Sequence, residues 1–96
     1  MARWVKGDKY DKRAAKHLRL EDRRRADRFL EKLSETPPDT ALNLKPMEGH
    51  NGELWEMKAG GQNRFILRRV RDDQGGYFVV EDVGPHDIYK GYNKRR

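Results

Sequence analysis

Within residues 53–83 stand, in order, Glu53-Leu54-Trp55-Glu56-Met57-Lys58, Ala59-Gly60-Gly61, Arg64-Phe65-Ile66-Leu67-Arg68-Arg69-Val70, Asp72-Asp73-Gln74-Gly75-Gly76 and Tyr77-Phe78-Val79-Val80-Glu81-Asp82-Val83. Apolar and polar residues alternate with period two in the first run, and the later runs are rich in β-branched and aromatic residues. The glycine-rich breaks between them are turn chemistry. Three consecutive strands joined by short turns predict an antiparallel meander, stopped by Gly84-Pro85.

Upstream the period changes. Tyr10, Ala14 and Leu18 fall at i, i+4 and i+8, with Asp8 placed as an N-cap; Ala26, Phe29, Leu30 and Leu33 then form a second stripe. Pro37 and Pro38 end it, because proline lacks the amide donor and clashes with the preceding turn. Two helices, or one long bent one broken near Leu18–Asp22, are expected. Arg3-Trp4-Val5 is a short candidate edge strand, and the stretch from Asp39 through Asn43, Pro46, Gly49 and Gly52 reads as a loop. Helices first and strands afterwards give an α+β fold, an N-terminal helical hairpin packed on one face of a small antiparallel sheet. The opposite face is left for function.

The chain has 96 residues, enough for one domain spanning 1–96 that buries about 60–65% of its unfolded surface. Lys and Arg number 22 against 16 Asp and Glu, for a net charge of +6, which favours a polyanionic or acidic partner. There is no cysteine, hence no disulfide, thiolate metal site or cysteine nucleophile. The sole serine, Ser34, sits where a helix should end, which gives a serine–histidine nucleophile little support. No apolar run is long enough to span a bilayer, and Met1-Ala2-Arg3-Trp4-Val5-Lys6 lacks a signal-peptide core, so a cytoplasmic protein is expected.

Strand alternation sorts the side chains of the meander. Trp55, Met57, Phe65 and Leu67 are assigned to the helix-covered face. Glu56, Lys58, Arg64, Ile66 and Arg68 share the other, so a carboxylate lies among fixed cations. Solvated sheet faces with cross-strand ion pairs look the same. After the last strand, Gly84-Pro85 aims His86 across the sheet end, with Tyr89 one short turn later. Histidine exchanges protons near neutral pH and arginine does not.

The order helix, helix, meander, with Leu54-Trp55-Glu56-Met57-Lys58, Asn63-Arg64-Phe65-Ile66-Leu67 and Val80-Glu81-Asp82-Val83-Gly84-Pro85-His86-Asp87-Ile88-Tyr89, resembles the RelE/ParE superfamily of bacterial toxins over nearly the whole chain. The RelE-like branch implies an endoribonuclease, an mRNA interferase that cuts message on the ribosome and so inhibits translation. The cut uses the RNA's own 2′-hydroxyl and needs no metal and no small-molecule cofactor. It needs a base for the 2′ proton, cations for the crowded phosphorane and an acid for the leaving 5′-oxygen. The resemblance places Lys58 and Arg64 on the scissile phosphate, His86 in proton transfer and Tyr89 or Tyr92 on a base. Arg68 joins the phosphate-binding set from strand parity alone. Glu56 stands where the best-known branch often has lysine, so it is the base with His86 as acid, or the two are reversed. Lys58 and Arg64 beside Glu56 oppose the raised pKa that a carboxylate base needs.

His50, in the loop before the strand, is a further candidate for the same face. His17 is read as a surface residue. Arg23-Arg24-Arg25 on the second helix is read as a ribosomal-RNA anchor, against the alternative of a solvated helix face. The implied partners are mRNA, the ribosome and a cognate antitoxin protein of a type II toxin–antitoxin system. Two other functions stay open: the resemblance also implies, through its ParE branch, a non-enzymatic inhibitor of DNA gyrase, and the basic charge fits a plain nucleic-acid-binding domain.

Overall fold

The computed structural model describes residues 3–34, 42–49, 51–85 and Ile88. The elements run β1 (Trp4–Lys6), α1 (Tyr10–His17), α2 (Leu20–Leu33), β2 (Lys45–Pro46), β3 (Leu54–Gly60), β4 (Asn63–Val70) and β5 (Tyr77–Pro85). They form an α+β fold on one five-stranded mixed sheet of order β1-β5-β4-β3-β2. The meander β3-β4-β5 is antiparallel throughout. The sheet extends beyond the meander at both edges, at one by the short edge strand expected near Arg3–Val5 and at the other by a strand in the expected loop.

At one edge β1 pairs with β5 in parallel, Val5 opposite Val79. No local pattern announces a parallel pair, because its partners are distant in sequence. Arg3 secures it by donating to Asp72 at 3.0 Å and to the Gly76 carbonyl at 2.8 Å. The Trp4 indole N–H donates to Ser34 Oγ at 2.8 Å, so the lone serine closes α2 onto β1. At the other edge, β2 places Lys45 opposite Glu56 and Pro46 opposite Trp55. The expected loop thus contains a two-residue strand, and a proline without a ladder donor is tolerated because the strand is outermost.

The core gathers Tyr10, Ala14, Leu18, Ala26, Leu30 and Leu33 from the helices with Met57, Phe65, Leu67, Phe78, Val80 and Val83 from the sheet. Trp55 is only half-buried at its margin, edge-on to Phe78 at 5.6 Å. Helix α1 packs on β5 and α2 on β3. The helices are therefore spread over the sheet, joined through Leu18-Arg19 and by the Arg23–Asp11 ion pair at 2.7 Å. Asp8 does not cap α1: Lys9 is the N-cap residue and no side chain bonds there. The first turn is fastened through backbone instead, Gly7 N–H to Val80 O at 2.9 Å and Tyr10 N–H to Gly7 O at 3.1 Å.

A bulge interrupts β4–β5. Leu67 faces Val80 while Ile66 faces Asp82, leaving Glu81 as the extra residue. A bulge of this kind resets the alternation. Val80 and Val83 both remain in the core, and Glu81 turns to the outer face, where Arg68 Nε donates to it at 2.6 Å.

Candidate functional site

Cross-strand register arranges the face away from the core in rows. Leu54, Arg68 and Val79 form one; Lys45, Glu56, Ile66 and Asp82 form the next; Lys58, Arg64 and Gly84 form the third. Neighbouring strands are about 4.8 Å apart and alternate residues of a strand about 6.7 Å. Lys58 and Arg64 are thus adjacent cations, with Glu56 one row away. Lys58 is exposed, Arg64 and Glu56 half-buried. The Arg64 guanidinium donates to its neighbour's carbonyl, Asn63 O, at 2.9 Å, which holds it near the strand end.

This face is less open than alternation suggests. Ile66, at its centre, is fully buried yet lies outside the main core cluster. Arg68 is tied to Glu81 at the far end of the face. Lys45, which sequence reading missed, stands directly opposite Glu56 and adds a cation to the carboxylate's surroundings. The signal was hidden because Lys45 adjoins Pro46 in a stretch rich in turn residues.

Gly84 closes the third row opposite Arg64, and Pro85 follows opposite Asn63. Strand β5 therefore ends beside the two cations. His86, Tyr89, Tyr92 and His50 lie outside the described residues. The arginine run lies apart from this face. Helix α2 packs its Ala26, Leu30 and Leu33 into the core, so the run belongs to the helical layer. Arg23 is paired with Asp11, Arg25 leans its stem on Gly60 and approaches Asp22 at 3.9 Å, and Arg24 is exposed.

Helix α1 carries a second basic surface. A groove lined by Lys9, Lys12, Arg13 and Lys16 adjoins another, of about 510 Å³, bordered by Lys6, Arg13, Val79 and Glu81. His17 is not a surface residue as expected. Its side chain is 22% exposed, Nδ1 lies 3.0 Å from Val83 O and 3.7 Å from Asp82 Oδ1, and the ring stands over Gly84. Asp82, 2% exposed, also accepts from Arg13 at 3.3 Å.

Among the described residues no cluster of three or more His, Asp or Glu side chains could hold a metal ion, and no helix is long and apolar enough to cross a membrane. The arrangement offers adjacent cations for a phosphodiester, a carboxylate one row away and a chain exit that leads directly to a histidine in sequence.

No protein-family model matches the chain, and no curated protein matches it in sequence. Solved structures do match in shape. YafQ of Escherichia coli superposes with a TM-score of 0.58 at 11% identity, covering 92% of this chain and 97% of that one. A chain of the E. coli DinJ–YafQ toxin–antitoxin complex gives 0.57 at 14%, covering 91% and 94%. The Helicobacter pylori protein HP0894 gives 0.56 at 17%, covering 90% and 96%. At these identities the likeness shows a shared fold over nearly the full length of both chains.

Proposed function

We propose that this protein is a RelE-like ribonuclease toxin of a type II toxin–antitoxin system, which cleaves mRNA through the RNA's own 2′-hydroxyl. The observation that carries the reading is the row Lys58–Arg64–Gly84: two cations side by side where β5 delivers the chain to His86. The shared fold with YafQ, which occurs in a toxin–antitoxin complex, supports it.

In this mechanism Arg64 and Lys58 hold the non-bridging oxygens of the scissile phosphate, arginine through a bidentate fork that lysine lacks. Glu56 and His86 share the proton transfers. One takes the proton of the 2′-hydroxyl as its oxygen attacks phosphorus; the other protonates the departing 5′-oxygen. The P–O5′ bond breaks, leaving a 2′,3′-cyclic phosphate and a free 5′-hydroxyl. Tyr89 or Tyr92 stacks on the substrate base. The partners are mRNA and the ribosome, with Arg68 and the arginines of α2 contributing to RNA attraction. A cognate antitoxin masks the basic faces.

The test is sequencing of RNA ends after brief expression and after incubation of purified protein with RNA in chelator. Cyclic phosphate at discrete cuts is the expected product. Intact RNA under both conditions overturns the reading.

A further inference from the structure

We propose that His17 is a positioning residue, the keystone of a clamp by which α1 fixes the end of β5 beside the catalytic cations; this rests on the ribonuclease reading above. Beyond Val80, β5 has no strand on its outer side among the described residues, because β1 pairs with Phe78–Val80. Val83 consequently turns both backbone polar groups to an unpaired edge, and each needs a partner. The N–H donates to Asp82 Oδ1 at 2.8 Å. The C=O accepts from His17 Nδ1 at 3.0 Å, which requires the hydrogen on that nitrogen.

Asp82 is in turn held by Arg13 on its other oxygen, one helical turn before His17. Arg13 and His17 stand at i and i+4, on the same side of α1, so a single helix face grips three successive residues of the strand. The third is Gly84. A Cβ there would come within 2.9 Å of His17 Nδ1 and 3.0 Å of its Cγ. The ring fits only because residue 84 has no side chain, and residue 84 is the one that faces Arg64.

The clamp follows the bulge at Glu81 directly, where the ladder loses regular register. Without an edge fastening the last residues of β5 are free to shift against β4. Such a shift would move the exit toward His86 relative to Lys58 and Arg64 while leaving both cations in place to bind RNA. A displacement on the order of 1 Å costs roughly 100-fold in turnover.

Three variants separate this role from others: His17→Ala, His17→Asn and His17→Gln. The asparagine amide nitrogen overlays Nδ1 and can donate to Val83 O, whereas the glutamine amide overlays Nε2. With a defined RNA, His17→Ala should lower kcat about 100-fold with KM within about twofold. His17→Asn should recover most of the loss and His17→Gln little. Unchanged turnover in His17→Ala overturns the proposal. Equal loss in the asparagine and glutamine variants also overturns it, since that pattern belongs to a proton carrier.

Amide exchange provides an arm that needs no activity. Val83 and Gly84 amides should exchange at least about 10-fold faster in His17→Ala and return toward wild type in His17→Asn, with circular dichroism reporting that each variant is folded. Unaltered exchange in folded His17→Ala rejects the clamp. Should wild-type protein cleave no RNA, the ribonuclease reading fails by itself, and exchange alone decides whether the clamp exists.

Discussion

Replacing Tyr10 by phenylalanine should make the protein more stable, and the gain should grow steeply in alkali. Tyr10 is fully buried, stacked near Phe65 at 6.3 Å, and its hydroxyl has no hydrogen-bond partner among the described residues. An unsatisfied buried hydroxyl costs about 1–3 kcal/mol, so its removal should raise stability near neutral pH by about 1 kcal/mol after allowing for the small void left behind. Burial first, and the Asp27 carboxylate second, push the phenol from 10.0 up to about 12. The unfolded chain therefore releases this proton first as pH rises. Stability contributed by the neutral phenol is complete below pH 10 and is lost between pH 10 and about 12.

Two pK steps at about 1.36 kcal/mol each set an upper bound of roughly 2.7 kcal/mol. Lys6 Nζ lies only 5.4 Å from the ring centre, so solvent is near and about 2 kcal/mol is the better figure. Urea unfolding of both proteins at pH 8, 10, 11 and 12 isolates the effect, because every other titrating group cancels in the difference. Parallel loss of stability in wild type and variant would refute the reasoning. So would a neutral-pH loss of more than about 1 kcal/mol, which would reveal a partner for the hydroxyl.

Arg64→Ala should lower RNA cleavage by at least about 100-fold while changing stability by less than about 1 kcal/mol, read from cyclic-phosphate yield and thermal melts; among the described residues its side chain bonds a carbonyl at the strand end. Gly60→Ala should destabilise by more than about 1 kcal/mol in urea unfolding, because φ is +102° and the stem of Arg25 occupies the space of a methyl. Gly49→Ala, with φ +81° and open space around it, is the milder control. Arg3 bonding, with the Gln74 and Gly76 amides, holds the Asp72 carboxyl below its ordinary 3.8, so an NMR titration of Arg3→Ala should show it moving back up. That native contribution is present above the ordinary carboxylate range and disappears as pH falls through the lowered value.

The meander was legible because each of its strands carries its own alternation and the turns carry their own glycines. Met57, Phe65 and Leu67 accordingly face the core, while Glu56, Lys58, Arg64 and Arg68 share the opposite side. What escaped reading depends on partners remote in sequence. The parallel β1–β5 pair joins residues more than seventy positions apart. Strand β2 is two residues long and half proline, too short for a period to exist. Alternation also gave no warning of the bulge at Glu81, which keeps Val83 in the core by adding a residue.

His17 looked like a solvated helix position because the charges around it in sequence are basic; its partners, Val83 and Asp82, lie on another element altogether. The arginine run was recognisable as charge. Its separation from the sheet face, and the grip of Asp11 on Arg23, are tertiary facts. For His86 and Tyr89, register fixes only the point of departure, Gly84 opposite Arg64.

The parallel seam between β1 and β5 also bears on how the molecule comes into being. During synthesis the early segment Trp4–Lys6 emerges long before Phe78–Val80, the residues it must join, have been translated. The sheet cannot be finished on a partial chain, and Val83 and Gly84 are made later still. A nascent polypeptide thus cannot bring Gly84 opposite Arg64 until its last strand has been added.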